Sequence, residues 1–245
     1  MVPLTRHGTR EMLIGTVVLA VIGAALGFWH WWMSLILIPV LIWLFAFFRD
    51  PERTLPAEQD SMVSPADGKV SDITEIESEP LLGGVPAVRV GIFLSVFNVH
   101  VNRSPCDGVV VDVTYKKGKF INAMSHAKAS EDNESNTVVL REPAGGHRPV
   151  AVVKQIVGLI ARRIVCTVKP GDGVTRGQRI GMIKFGSRTE LTIPAWLKPT
   201  ISVKVGDTVR GAADVIATLG EPIHTIARQE VAEEFEPIVG RETPA

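Results

Sequence analysis

The sequence predicts a mainly β protein with a hydrophobic helical membrane hairpin at its N-terminus. Two observations carry this. From Met12 to Phe48, 37 consecutive residues include no Asp, Glu, Lys or Arg. From about Met62 onward, runs rich in β-branched residues alternate with Gly, Pro and Asn, the pattern of short strands joined by turns. The expected organisation is residues 1–55 for the hairpin and a linker, 56–220 for a β-rich domain, and 221–245 for a C-terminal tail.

A single helix over Met12–Phe48 would extend about 55 Å, well beyond a hydrocarbon core of about 30 Å. Two segments fit better, Met12–Trp29 and Met33–Phe48, turning at "WHWW". At about 1.5 Å per residue each is barely long enough to span, and Pro39 interrupts the second, so the hairpin is expected to be spanning or re-entrant. Trp29, Trp31 and Trp32 suit an interfacial belt at its tip. Arg6 and Arg10 precede the hairpin, and Arg49 and Arg53 follow it, which places both ends on the cytoplasmic side of a cell membrane. A signal peptide is disfavoured: the apolar run is too long and lacks a small-residue cleavage site.

"FFRDPER" (Phe47–Arg53) ends the apolar part, and Pro51 and Pro56 mark a short linker. The strand candidates are "VPAVRVGIFLSVF", "GVVVDVTY", "NTVVLRE", "RPVAVVKQIVGLI" and "RRIVCTV". "AGGH" (Ala144–His147) reads as a hairpin turn. "INAMSHAKASEDNESN" reads as one short helix with a polar loop, in which His126 faces solvent. The charged stretch "ARQEVAEEFEPIVGRETPA" reads as a partly helical, loosely held tail. "VKPGDGVTRGQRI" from Val168 and "VKVGDTVRGAADVI" from Val203 echo one another, with a Gly-Asp turn between valine-bearing strands. That spacing recurs in barrel-sandwich modules. Lys184 in "GMIKFG" lacks the flanking methionines of a carrier lysine, so a carrier role is not expected.

Composition narrows the function classes. Lys+Arg and Asp+Glu both number 26, so no basic surface argues for nucleic acid. Cys106 and Cys166 form no CxxC pattern, and the six histidines form no HExxH, so no metal site is expected.

The segment "IKFGSRTEL" (Ile183–Leu191) alternates like a strand but holds Gly186-Ser187 at its centre. A serine hydroxyl can attack the carbonyl before it, and glycine leaves that carbonyl open and tolerates strained backbone. Removal of the serine Cα proton then breaks the chain and leaves dehydroalanine, which hydrolyses to a pyruvoyl group with loss of ammonia. A pyruvoyl carbonyl is an electron sink suited to decarboxylating an amine substrate. Such a serine needs a base, and the base an orienting partner. His100 in "VFNVHVNRSP" and Asp67 in "VSPADGKV" are candidates, although each residue alone reads equally as an ordinary strand histidine or turn aspartate.

The ordered motifs "FFRDPER", "SPADG", "FNVHVNRSP", "GKFINA", "KASEDNESN", "QIVGLIARRIVC" and "GQRIGMIKFGSR" resemble the phosphatidylserine decarboxylase family in its short, single-hairpin form, over nearly all of residues 47–216. The resemblance implies a barrel-sandwich-like β core and a pyruvoyl cofactor (covalently bound pyruvate) formed from Ser187. It implies self-cleavage between Gly186 and Ser187, giving a β chain of residues 1–186 and an α chain of residues 187–245. It implies that Asp67, His100 and Ser187 form the self-cleavage triad, and that phosphatidylserine in the bilayer is the substrate. Longer members carry a further histidine just upstream. Asn98 stands near that place here, so His100 is also expected to serve proton transfer during decarboxylation. Arg188 and Asn98 are candidate substrate contacts, and Arg162 and Arg163 read as exposed strand arginines. A homo-oligomer is compatible with the sequence. Two rival readings stay open: a pyruvoyl enzyme acting on a soluble amino acid, and a membrane-anchored β module without catalysis.

Overall fold

A computed structural model describes residues 3–121, 126–143, 146–158, 163–184, 186–221 and 223, without the side chains of Trp29 and residues 126–128. Ala144 and Gly145 of the "AGGH" turn, Arg162, the His126 side chain and the tail beyond Ile223 lie outside the described residues.

The apolar segment forms helix α1 (Thr9–Trp29) and helix α2 (Ile38–Phe47), joined through a 3-10 helix over Trp31–Leu37. Pro39 does not break the second arm midway. It sits in the first turn of α2, where its missing N–H costs nothing, and the residues before it take the tighter 3-10 winding. The run Arg6–Phe28 is long and apolar enough to cross a membrane, and only 6% of its apolar window is buried within the protein. Leu13, Val21 and Ile42 point outward, 66, 65 and 63% exposed, while Met12, Leu44, Phe47 and Phe48 pack inward with Met182.

Among the described residues the β domain shows fourteen strands. They are β1 (Ser61–Val63), β2 (Gly68–Glu79), β3 (Val85–Leu94), β4 (Val101–Arg103), β5 (Gly108–Lys116), β6 (Ser135–Arg141) and β7 (Pro149–Val157). Then come β8 (Arg163–Cys166), β9 (Gly173–Val174), β10 (Arg179–Lys184), β11 (Ser187–Pro194), β12 (Pro199–Ile201), β13 (Thr208–Val209) and β14 (Val215–Leu219). A short helix, α3 (His126–Asp132), precedes β6. Eight strands form a half-barrel in the order β13-β2-β3-β11-β7-β6-β5-β9. Two three-stranded sheets, β1-β14-β12 and β4-β10-β8, close it. The main core lies inside, with Ile92, Leu94, Leu140, Val153, Leu191 and Ile193 among its buried residues.

The strand order is palindromic, because the domain is internally duplicated. "SPADG" (Ser64–Gly68) and "SPCDG" (Ser104–Gly108) are the matching sequences. Ser64 Oγ donates to Ala66 O at 2.7 Å, and Ser104 Oγ to Cys106 O at 2.7 Å. Asp67 Oδ1 accepts from the Gly211 N–H at 2.7 Å, and Asp107 Oδ1 from the Arg176 N–H at 2.6 Å. The "VKxGD" echo supplies the partners: β13 pairs with the start of β2, and β9 with the start of β5. In both turns the aspartate side chain accepts the lysine N–H, Asp172 from Lys169 and Asp207 from Lys204. Val63 N–H donates to Pro105 O and Arg103 N–H to Pro65 O, so the two turns clasp each other across the pseudo-dyad.

Candidate active site

"IKFGSRTEL" is not one interrupted strand. Ile183 and Lys184 end β10 in the small β4-β10-β8 sheet, while Ser187 begins β11 in the centre of the half-barrel. The chain changes sheets between them. Gly186 takes φ = +66°, a left-handed conformation that glycine adopts without the penalty a side chain brings. A Cβ there would find room, with Val96 Cγ1 nearest at 3.8 Å, so the backbone angle and not crowding calls for glycine.

The next residue is fully buried. Ser187 Oγ has no hydrogen-bond partner among the described residues, an uncommon state for a buried hydroxyl and one that marks it as a candidate nucleophile. Its strand explains the burial: β11 lies between β3 and β7, paired to both from Ser187 onward.

His100 precedes β4 and is also fully buried. Its Nε2 receives the Gly186 N–H at 3.2 Å, and its Nδ1 meets the Asn98 carbonyl at 2.9 Å. An amide N–H only donates and a carbonyl only accepts. These bonds therefore assign the proton to Nδ1 and leave the Nε2 lone pair accepting the N–H of Gly186, the residue before Ser187. Burial lowers the ring pKa to about 4, helped by the charge of Arg49 and opposed by the Asn98 hydrogen bond, so the ring is neutral at physiological pH. Phe47 lies against it, ring centroids 4.3 Å apart at 35°.

The structure brings His100 to Gly186, the neighbour of Ser187, and among the described residues it gives Asp67 other partners than His100. Asp67 Oδ2 pairs with Arg53 at 2.7 Å, and its Oδ1 takes the Gly211 N–H. Burial raises its pKa, against that backbone bond and the charges of Arg53 and Arg49. The group at the far side of the imidazole is the Asn98 carbonyl. Asn98's own side chain accepts from Ser95 N–H at 2.9 Å and Ser95 Oγ–H at 2.7 Å, so it shapes the loop that carries His100.

Arg188 is wholly buried and engaged by carboxylates. Its Nη1 lies 2.7 Å from Asp72 Oδ1, its Nε donates to Glu190 Oε1 at 2.9 Å, and it also donates to Ser71 Oγ. Gly91 makes this possible: a Cβ on Gly91 would fall 2.1 Å from Arg188 Nη2 and 2.5 Å from Asp72 Oδ1. The guanidinium ties β11 to β2 across β3, immediately after the candidate nucleophile. Arg163 is exposed on β8, in register with Lys184.

"FFRDPER", expected to be a linker, is built into the site. Phe47 touches His100, and Arg49 donates to Phe97 O at 2.7 Å in the loop before His100. Asp50 bridges Arg103 at 3.0 Å and Arg179 at 2.6 Å, and Arg53 holds Asp67. Only the density of charges beside two aromatics hinted at this. The partners lie tens of residues away in sequence.

Fold and site together define a β domain with an N-terminal apolar helical hairpin and a candidate nucleophile at its own sheet junction. Comparison with known proteins is specific. Residues 40–217 match the family model for phosphatidylserine decarboxylase. A phosphatidylserine decarboxylase proenzyme of Granulibacter bethesdensis is 47% identical over 86% of this chain and 83% of its own. Proteins of the same name from Carboxydothermus hydrogenoformans and Rhodopirellula baltica are each 44% identical, over 84% and 88% of this chain and 92% and 88% of theirs. The chain belongs to the phosphatidylserine decarboxylase family.

Proposed function

We propose that this chain decarboxylates phosphatidylserine to phosphatidylethanolamine and CO2, using a pyruvoyl group made from its own Ser187 by cleavage of the Gly186–Ser187 bond. The observation that carries the reading is the buried Ser187 hydroxyl, without a partner among the described residues, beside a left-handed glycine whose N–H rests on the lone-pair nitrogen of a buried, neutral histidine. The family match supports the substrate, and the "proenzyme" in the relatives' names fits a processed precursor.

The chain's residues take the following parts. His100 Nε2 removes the Ser187 hydroxyl proton as Oγ attacks the Gly186 carbonyl carbon, and the peptide nitrogen leaves that carbon to give an ester. Loss of the Ser187 Cα proton then expels the Gly186 carboxylate. Hydration of the new chain end releases ammonia, leaving residues 1–186 and 187–245. Once formed, the pyruvoyl group would supply the electron sink that decarboxylation of an amine substrate needs. Ser187's position suits the group: it is buried, on a central strand, and follows the glycine whose N–H binds a neutral imidazole, the candidate to return a proton to the product Cα. Asp67 contributes by fixing Arg53 and its segment, and Arg188 by fastening the start of the new chain. The apolar hairpin supports a domain held at a membrane, and Arg6, Arg10, Arg49 and Arg53 at its ends favour the cytoplasmic face, where a lipid headgroup would enter.

Intact-mass analysis of purified protein tests the reading. Two fragments ending at Gly186 and starting at a blocked residue 187 are expected, and Ser187→Ala should remain a single chain of 26.6 kDa. A wild-type protein that stays whole while decarboxylating phosphatidylserine would refute the pyruvoyl mechanism. Turnover of a soluble amino acid instead of dispersed phosphatidylserine would refute the substrate.

A further inference from the structure

We infer that the N-terminal hairpin is a working part of the self-cleavage site, with Phe47 as a positioning residue for His100 and Glu11 as one for the strand that leads into Gly186. The inference rests on reading Gly186–Ser187 as the cleaved bond.

Three contacts converge on the few residues that set the geometry of that bond. The Phe47 ring covers one face of His100, centroid to centroid 4.3 Å. Arg49, two residues on, binds Ala46 O at 2.6 Å and Phe97 O at 2.7 Å, tying the end of α2 to the loop whose Asn98 carbonyl fixes the imidazole tautomer. Glu11 on α1 pairs at 2.7 Å with Lys184, whose side chain is 6% exposed and which lies two residues before Gly186. Between these contacts Met182 of β10 packs with Met12, Leu44, Phe47 and Phe48, and the Ile183 N–H donates to His100 O at 3.2 Å. The hairpin thus has two faces. The outward one is apolar and unpartnered, as an anchor requires, and the inward one is a specific dock onto β10 and His100.

Phe47 keeps water from the imidazole. Among the described residues, the only charged group facing the ring from the packed elements is Arg49 at the end of α2. β4, β10 and the Ser95–Asn98 loop present backbone groups, which do not titrate. Opening the Phe47 face lets water reach His100 and returns its pKa toward the ordinary value, so the base is protonated at a higher pH and cleavage slows on the acid side. A lost anchor alone would lower membrane binding without moving that profile.

The test is cleavage of the full chain, made by cell-free synthesis into phosphatidylglycerol–phosphatidylcholine vesicles and chased at a series of pH values. The readout is the rate at which the 187–245 fragment appears. Phe47→Leu should still cleave, with the acid limb displaced upward, and Phe47→Ala should be slower by about tenfold or more with a displacement of about one pH unit or more. Glu11→Gln should slow cleavage without displacing the limb. Leu13→Ala, on the outward face, should match wild type. Wild-type rates and superimposed profiles for both Phe47 variants would overturn the inference. A wild-type chain that never yields the fragment would instead remove the cleavage reading on which it rests.

Discussion

Ser187 and His100 are both buried polar groups, and each costs the fold stability. An unpaired buried hydroxyl costs about 1–3 kcal/mol. A neutral buried histidine carries a different cost, visible only in acid. His100 has a folded pKa of about 4 against 6.5 for the free side chain. The unfolded chain therefore binds more protons between these values. The sign follows: stability is fully present above pH 6.5 and is lost as pH falls toward 4, by about 3 kcal/mol in all. The uncut Ser187→Ala precursor should show this loss in denaturant melts taken across that range. In Ser187→Ala/His100→Gln the slope should shrink by about that amount. Equal slopes in the two proteins would mean that His100 is not held neutral. The same shift leaves the Nε2 lone pair available well below neutral pH, so cleavage should persist in mild acid.

At the scale of elements, the alternation in Ile183–Leu191 is equally compatible with one strand or with two that change sheets at a glycine. Local pattern reports only which residues alternate, and sheet membership is a matter of long-range pairing. "FFRDPER" was opaque for the same reason: its partners Asp67, His100, Arg103 and Arg179 are defined by the fold. Asp67 is the clearest case. Its twin Asp107 makes the same turn-closing bond to a backbone N–H, so that bond is structural in both copies, and only the Arg53 contact distinguishes Asp67. Asp67→Asn weakens that pair, and the maturation time course should be slowed but should reach completion, whereas His100→Ala should stop it. A block as complete as that of His100→Ala would put the carboxylate in direct contact with the base during reaction. Gly91 marks the other element-level device, the passage of Arg188 over β3. Gly91→Ala drives a methyl into the Arg188–Asp72 pair and should destabilise the domain by about 2–4 kcal/mol in thermal unfolding. An unchanged melting temperature would show that the pair passes elsewhere.

For the whole molecule, the apolar hairpin and the β-rich domain were legible because each writes a strong local period into the chain. Of the duplication, only the "VKxGD" half stands out in the sequence. Its other half, "SPADG" against "SPCDG", acquires meaning once β13-β2 and β5-β9 are seen to occupy opposite edges of one sheet. The palindrome also suits the proposed cut after Gly186. β7–β10 and β11–β14 are corresponding four-strand units, and the Gly186–Ser187 bond lies in the joint between them. Cutting there divides no unit. The new fragment begins with β11, whose eight residues are all buried and which pairs with β3 from Ser187 to Pro194 and with β7 from Ser187 to Thr192. Its β12 and β14 join β1, and its β13 joins β2. The fragment thus crosses both the half-barrel and one of the closing sheets, and it cannot leave without unfolding the core. After cleavage the two chains should co-elute in size-exclusion chromatography in mild detergent and separate only in denaturant, with one cooperative transition for both. Release of the 187–245 fragment under native conditions would contradict the central placement of β11.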